Sequence, residues 1–184
     1  MNILFLMPDW KASAGGWMRQ MMENISEHIS AIAVNDSRGE KIWKDNTPVF
    51  SINPPEHEIR IFSRLFATIG LSLKKQRSNA NRVLFSIMQT QKIDRVFCQY
   101  GEYAVRFMDV WRETHIPLFV HFHGYDLTFD LRLHNNPMRK RFKEDYLENI
   151  RELSERGTFI ANSKFTKEKL SNAGIAPNKI MVKY

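Results

Sequence analysis

Short apolar runs alternate with longer stretches in which apolar residues recur at helical spacing. The runs Ile3 to Met7, Ala31 to Val34, Val49 to Ile52, Arg95 to Cys98, Leu118 to His121, Thr158 to Ala161 and Ile180 to Val182 are each of strand length. Their nearly continuous apolar character is that of strands covered on both faces. Between them Met18, Met21, Met22, Ile25 and Ile29 fall on one face of a helix, as do Ile59, Phe62, Phe66, Ile69 and Leu73. A third stripe joins Ala104, Phe107, Met108 and Trp111, and a fourth joins Phe142, Tyr146, Ile150 and Leu153. Strands alternating with amphipathic helices predict crossover units and a parallel sheet. The expected fold is therefore α/β, a doubly wound, mostly parallel Rossmann-like sheet. Asn53-Pro54-Pro55 and Asn135-Asn136-Pro137 read as loops.

A chain of 184 residues suits one domain, 1–184. No apolar run approaches the ~18 residues of a membrane-spanning helix. The apolar start of the chain is too short for a signal peptide, and it lacks a basic leader and a small-residue cleavage site. Cys98 is the only cysteine, which excludes an intrachain disulfide, and its setting in Val96-Phe97-Cys98 is that of a small buried hydrophobe. A cytoplasmic location fits this composition. The formal net charge of +7 favours anionic partners such as phosphates, nucleic acid or an acidic membrane surface. Basic residues cluster in Lys74-Lys75-Gln76-Arg77 and in Arg139-Lys140-Arg141-Phe142-Lys143. The stripe from Ile59 to Leu73 is accompanied by Arg60, Arg64, Lys74, Lys75 and Arg77, so it reads either as an ordinary crossover helix or as a basic amphipathic helix lying on an anionic membrane.

Candidate chemistry concentrates where strands run out into polar loops, the rim at which open parallel sheets bind ligands. The tract Val120-His121-Phe122-His123-Gly124-Tyr125-Asp126 is the principal one. Strand alternation puts His121 and His123 on one face, and Gly124 can take the positive φ of an abrupt turn. We read His121 as a core histidine, His123 as the candidate catalytic residue, and Asp126 as either a substrate group or a cap of the next turn. Tyr100-Gly101-Glu102-Tyr103 leaves the preceding strand at the same rim. Glu102 suits either a hydrogen bond to a substrate hydroxyl or the favourable end of a helix dipole. After the first strand, Gly15-Gly16 precedes a helix and offers a phosphate seat or merely a flexible turn. Ser163 reads as a helix N-cap. A zinc site on His121, His123 and Asp126 has no complete ligand motif, and no serine or cysteine nucleophile signature is present.

Taken together, the first strand with Gly15-Gly16, the tract Ile116 to Asp126, the tract Phe159-Ile160-Ala161-Asn162-Ser163-Lys164-Phe165-Thr166 and the run through Gly174 to Lys179-Ile180-Met181-Val182 resemble the N-terminal half of glycosyltransferase family 4. The resemblance implies a GT-B fold, in which two Rossmann-like domains transfer a sugar from a nucleotide-sugar with retention at the anomeric carbon. This chain would be the N-terminal, acceptor-binding domain of such a hexosyltransferase. It implies further that Gly15 and Gly16 approach the donor diphosphate, that His123 contacts the transferred sugar and that Asp126 holds its loop. Tyr100, Gly101, Glu102, Gly124 and Tyr125 complete the substrate-binding candidates. No cofactor or metal is expected. Glu144 and Glu152 have the spacing of the Glu-x7-Glu motif, but they lie on an acceptor-domain helix and their match is counted as coincidence.

The expected function is transfer of a sugar to a cell-surface or lipid-linked glycan acceptor, in polysaccharide biosynthesis. It is expected at the inner face of the membrane as a cytoplasmic, peripheral protein. Because the donor-binding C-terminal domain that the resemblance implies is absent from the chain, the chain alone is expected to be inactive. Two other classes compete. A basic nucleic-acid-binding module would need aromatics interleaved with the basic clusters, whereas most aromatics here lie on core stripes. A His-dependent metal hydrolase ranks last.

Overall fold

The computed structural model describes residues 1–8, 15–37, 39–53, 79–128 and 145–183. Contacts divide the chain into two units, Met1–Val96 and Phe97–Tyr184. The helix expected over Ile59 to Arg77 and the basic cluster around Arg139 lie outside the described residues, as do Phe142 and Glu144.

In the first unit, strands β1 (Ile3–Leu6), β2 (Ile29–Val34) and β3 (Val49–Ser51) are joined by the start of β4 (Arg95–Gln99), in the order β3-β2-β1-β4. Pairing is parallel, with Phe5 opposite Ile32 and Ile32 opposite Val49. All four residues of β1 are buried, as strands covered on both faces require. Asp94 and Arg95 both donate backbone N–H groups to the Asn2 carbonyl, which sets where β4 begins. Helix α1 (Gly15–Glu23) buries Met18 and Met22, one turn apart.

The stripe drawn through Met18 and Ile25 to Ile29 is too long. Ile25 N–H bonds the Met22 carbonyl, a tightened last turn, and a 3-10 turn at Ser26–His28 follows. Ile29 is then the first residue of β2, opposite Ile3. Four-residue spacing is compatible with a helix but also with a turn leading into a strand, so periodicity alone misplaced it.

A helix not anticipated from the sequence, α2 (Asn79–Thr90), buries Val83, Leu84, Ile87 and Met88. Those positions do follow helical spacing. It ends in a Schellman motif: Ile93 N–H bonds the Met88 carbonyl at 2.9 Å, Lys92 N–H bonds the Gln89 carbonyl at 3.2 Å, and Lys92 sits at φ 51°.

The second unit orders its strands β4-β5-β6-β7, with β5 at Leu118–Phe122, β6 at Gly157–Ala161 and β7 at Ile180–Val182. The β5, β6 and β7 pairings are parallel, Val120 facing Phe159 and Phe159 facing Ile180. Gly157 has no room for a side chain, since a Cβ there would lie 2.8 Å from the Leu118 carbonyl oxygen. The stripe expected as one helix from Ala104 to Trp111 is two short helices, α3 (Gly101–Val105) and α4 (Met108–Glu113). They break at Phe107 (φ −109°, ψ 26°). The side chains still share one apolar cluster, and the Trp111 indole donates 2.7 Å to the Ala104 carbonyl across the break. Helix α5 (Tyr125–Thr128) follows β5, and α6 (Tyr146–Arg156) buries Tyr146, Ile150 and Leu153. Helix α7 (Lys164–Asn172) starts at Ser163, whose hydroxyl accepts from Thr166 N–H at 3.1 Å. The architecture is the α/β, doubly wound, Rossmann-like one read from the sequence, and the strand bounds differ from it by two residues at most.

Candidate functional site

The rim at the carboxyl ends of β4 and β5 is built around one carboxylate. Asp126, in the first turn of α5, is fully buried. Its Oδ2 accepts from Gly101 N–H at 2.8 Å and its Oδ1 from His123 N–H at 3.1 Å. One side chain thus ties the loop after β4 to the loop after β5. Burial pushes the carboxyl up to about 6, against the lowering effect of its backbone donors and with a smaller contribution from the negative charge of Glu102. Its own carbonyl accepts from the buried Tyr146 hydroxyl at 2.8 Å, which anchors α5 to α6.

Two backbone features form the turns. Tyr100 N–H closes the β4–β5 ladder on the His121 carbonyl at 2.9 Å. Tyr100 then takes φ 70° and ψ 133° before α3 begins. For a residue bearing a Cβ, such a conformation costs on the order of 1–3 kcal/mol, so the surrounding contacts must hold it. Gly101 has no room for a side chain: a Cβ would run into the Phe122 ring and stand 2.7 Å from the Tyr146 hydroxyl. On the other loop Gly124 sits at φ 83°, the left-handed conformation expected of it.

His123 is half-buried between three neighbours. The Tyr100 ring lies 4.4 Å from it and the His121 ring 4.2 Å, centroid to centroid. Its Nε2 is 2.9 Å from Gln99 Oε1. Burial is the main cause that depresses the His123 imidazole to about 3, with His121 a lesser one. Burial likewise lowers His121 to about 4, helped by the positive charge of Lys183. Both rings are therefore neutral around pH 7. His121 is a buried residue of β5, edge-on to Phe97 at 6.2 Å. A neutral His123 can donate or accept a hydrogen bond but offers no fixed positive charge to an anion.

Gln99 was not among the residues singled out from the sequence, because the strand was expected to end at Cys98. It is the last residue of β4 and wholly buried, and among the described residues its Nε2 has no hydrogen-bond partner. Leaving a buried amide donor unsatisfied costs ~1–3 kcal/mol. A polar residue closing a buried strand beside a rim loop was the available signal.

Beyond His123 lies a cavity of about 330 Å³ lined by His123, Gly124, Tyr125, Asn162, Ser163, Phe165 and Thr166. Thr166 is buried and donates 2.7 Å to Asn162 Oδ1, so the polar wall is ordered by its own hydrogen bonds. Tyr125 and Phe165 are exposed at 37% and 56% and give the cavity an aromatic border.

The structure thus brings together Tyr100, Gly101, His123, Gly124, Tyr125 and Asp126. Glu102 lies in the first turn of α3 beside them. Gly15 and Gly16 open α1 in the first unit, and residues 9–14 before them lie outside the described residues. Glu152 forms a surface pair with Arg112, both bonds 2.7 Å, and so has a structural partner. Cys98 is buried, and burial with the charge of Asp126 pushes its thiol up, so it stays protonated. Among the described residues no three His, Cys, Asp or Glu side chains are grouped to hold a metal ion. No helix among them is long and apolar enough to cross a membrane.

A search of curated protein sequences finds no significant match. Among solved structures the chain is similar to HepE of Anabaena in complex with UDP, at TM-score 0.64 and 15% identity. It is similar as well to HepE with UDP and glucose (0.65, 17%) and to HepE with UDP-glucose (0.60, 17%). Each alignment covers 100% of this chain and 43–44% of HepE, so the chain spans less than half the length of that protein. At this identity the likeness establishes the fold, a GT-B Rossmann-like domain. The sequence pattern of Glycosyltransferase Family 4 matches residues 47–184, about three quarters of the chain, and the chain belongs to that family.

Proposed function

We propose that this chain is the acceptor-binding, N-terminal domain of a retaining glycosyltransferase. It uses a nucleotide-sugar donor, of the hexosyl type, and builds a cell-surface or lipid-linked glycan. The observation that carries the reading is the rim cluster of a family 4 chain, a neutral His123 held beside a cavity with an aromatic border. HepE, of the same fold, was solved with UDP-glucose, which supports a uridine-type donor as the first one to test.

Chemically, His123 offers a hydrogen bond to a sugar hydroxyl, and Tyr125 and Phe165 offer apolar faces to a sugar ring. The charge that develops on a departing diphosphate needs preorganised positive or N–H donors. A neutral His123 does not supply it. In this reading that clamp lies in a donor domain, and the chain alone transfers little or nothing. The reaction needs no metal or cofactor held by this chain. The protein works at the inner face of the membrane, where the net charge of +7 favours anionic lipid.

The test is transfer from a panel of nucleotide-sugars by the intact protein, with the anomeric configuration of the product read by nuclear magnetic resonance. Inversion would overturn the retaining assignment, and no transfer from any donor would overturn the activity. His123→Ala should lower turnover far more than it lowers thermal stability, and His121→Ala should do the reverse. Near-normal turnover for His123→Ala would remove His123 from the site.

A further inference from the structure

We infer that Gln99 is a positioning residue of this site, which fixes the ring of His123 in the tautomer protonated at Nε2 and so leaves Nδ1 as its acceptor atom. Four observations converge on it. Gln99 Oε1 faces His123 Nε2 at 2.9 Å, and an amide oxygen can only accept, so the proton belongs to Nε2. Gln99 is wholly buried at the end of β4, and the other half of its amide has no partner among the described residues. The orphaned half of the amide works against stability, so what it offers in return is the bond to His123. Tyr100, the next residue, is held at φ 70° with its ring against His123. Two consecutive residues of one strand end thus carry unfavourable local features, and both meet the same imidazole. Finally, Asp126 fixes the His123 backbone N–H at 3.1 Å, so backbone, ring face and ring nitrogen are all constrained.

The consequence concerns ligand class. A neutral imidazole with Nδ1 as its acceptor takes a hydrogen bond from a hydroxyl group, such as those of a sugar. At that atom it cannot donate to a phosphate oxygen. This part rests on the proposed transfer of a sugar, whereas the tautomer itself does not.

Two readouts separate the claims. Long-range nitrogen–proton spectra of the side-chain imidazoles, recorded on the 184-residue chain near pH 7, should show His123 protonated at Nε2. In Gln99→Leu that preference should fall to a mixture, with only a small change in melting temperature, because loss of the 2.9 Å bond to His123 and removal of the orphaned amide oppose each other. In Gln99→Glu the His123 proton affinity should rise by ~1–3 pH units, as a carboxylate beside an imidazole requires. In the intact protein, Gln99→Leu should lower kcat at least ~10-fold with a smaller change in KM, as loss of transition-state orientation does. A wild-type His123 protonated at Nδ1, or a tautomer unmoved by Gln99→Leu, overturns the assignment. A changed tautomer with unchanged transfer overturns the positioning role. If the wild-type protein transfers no sugar from any donor, the proposed activity fails, and the spectra alone decide for or against Gln99.

Discussion

Replacing Asp126 by Asn changes one atom of the clasp between the β4 and β5 loops, and its effect depends on pH. Two opposed quantities decide the result. The carboxylate gives each backbone donor its own oxygen, Gly101 at 2.8 Å and His123 at 3.1 Å. Asparagine keeps one acceptor and turns an amino group toward the other N–H, and stranding that buried donor costs ~1–3 kcal/mol. Against this stands the burial of a charge. The carboxyl rises from 3.8 to about 6, so folding favours its protonated form. A displacement of that size corresponds to ~3 kcal/mol when the group is fully ionised. The stabilisation is complete below pH 3.8 and is lost as pH rises through about 6.

Asparagine has no such dependence. The wild-type chain should therefore exceed Asp126→Asn most clearly near pH 4, and the gap should close by up to ~3 kcal/mol by about pH 7.5. His121 and His123 act in the opposite sense, since a depressed imidazole contributes stability above its ordinary value of 6.5 that is lost as pH falls through about 4 and about 3. They are present in both proteins and cancel in the difference. Urea unfolding followed by circular dichroism at several pH values measures the gap directly. A gap that is constant with pH would refute the reasoning. One that widens as pH rises would mean that the two N–H donors outweigh desolvation.

Gly101→Ala drives a methyl into the Phe122 ring and against the Tyr146 hydroxyl, so overpacking of ~1–3 kcal/mol is expected, read as a lower urea midpoint. An unchanged midpoint would show that the rim is looser than drawn. Lys92→Gly should stabilise by ~0.5–1 kcal/mol, because φ 51° at the Schellman position suits glycine; a loss of stability would show that the Lys92 side chain matters more than its backbone. Prolonged chelation of the intact protein should leave transfer unchanged, and an activity restored by zinc would favour the hydrolase-type metal reading. The chain should sediment with anionic vesicles at low salt and not at high salt, since a few basic residues at ~1 kcal/mol each suffice. No binding at low salt would remove the membrane contact.

What the sequence determined by itself was the order of elements. Burial of the strands on both faces writes them as apolar runs, and all seven are in place because that constraint is local to each run. The left-handed Gly124 and the cap at Ser163 were legible for the same reason, since turn and cap chemistry reside in one or two residues. Helix α2 was equally local, and its buried stripe at Val83, Leu84, Ile87 and Met88 was there to be read. The division of Ala104 to Trp111 into two helices was not, because side chains on either side of a break can keep one apolar face. Only the tertiary structure could reveal what holds the rim. Asp126 reaches Gly101 across 25 positions and His123 meets Gln99 across 24, contacts between loops of neighbouring strands that no spacing along the chain encodes. The same holds for the charge state of His123. An imidazole at a strand end reads as a titrating group, and it is the packing of Tyr100, His121 and Gln99 around it that strips away water and keeps it neutral.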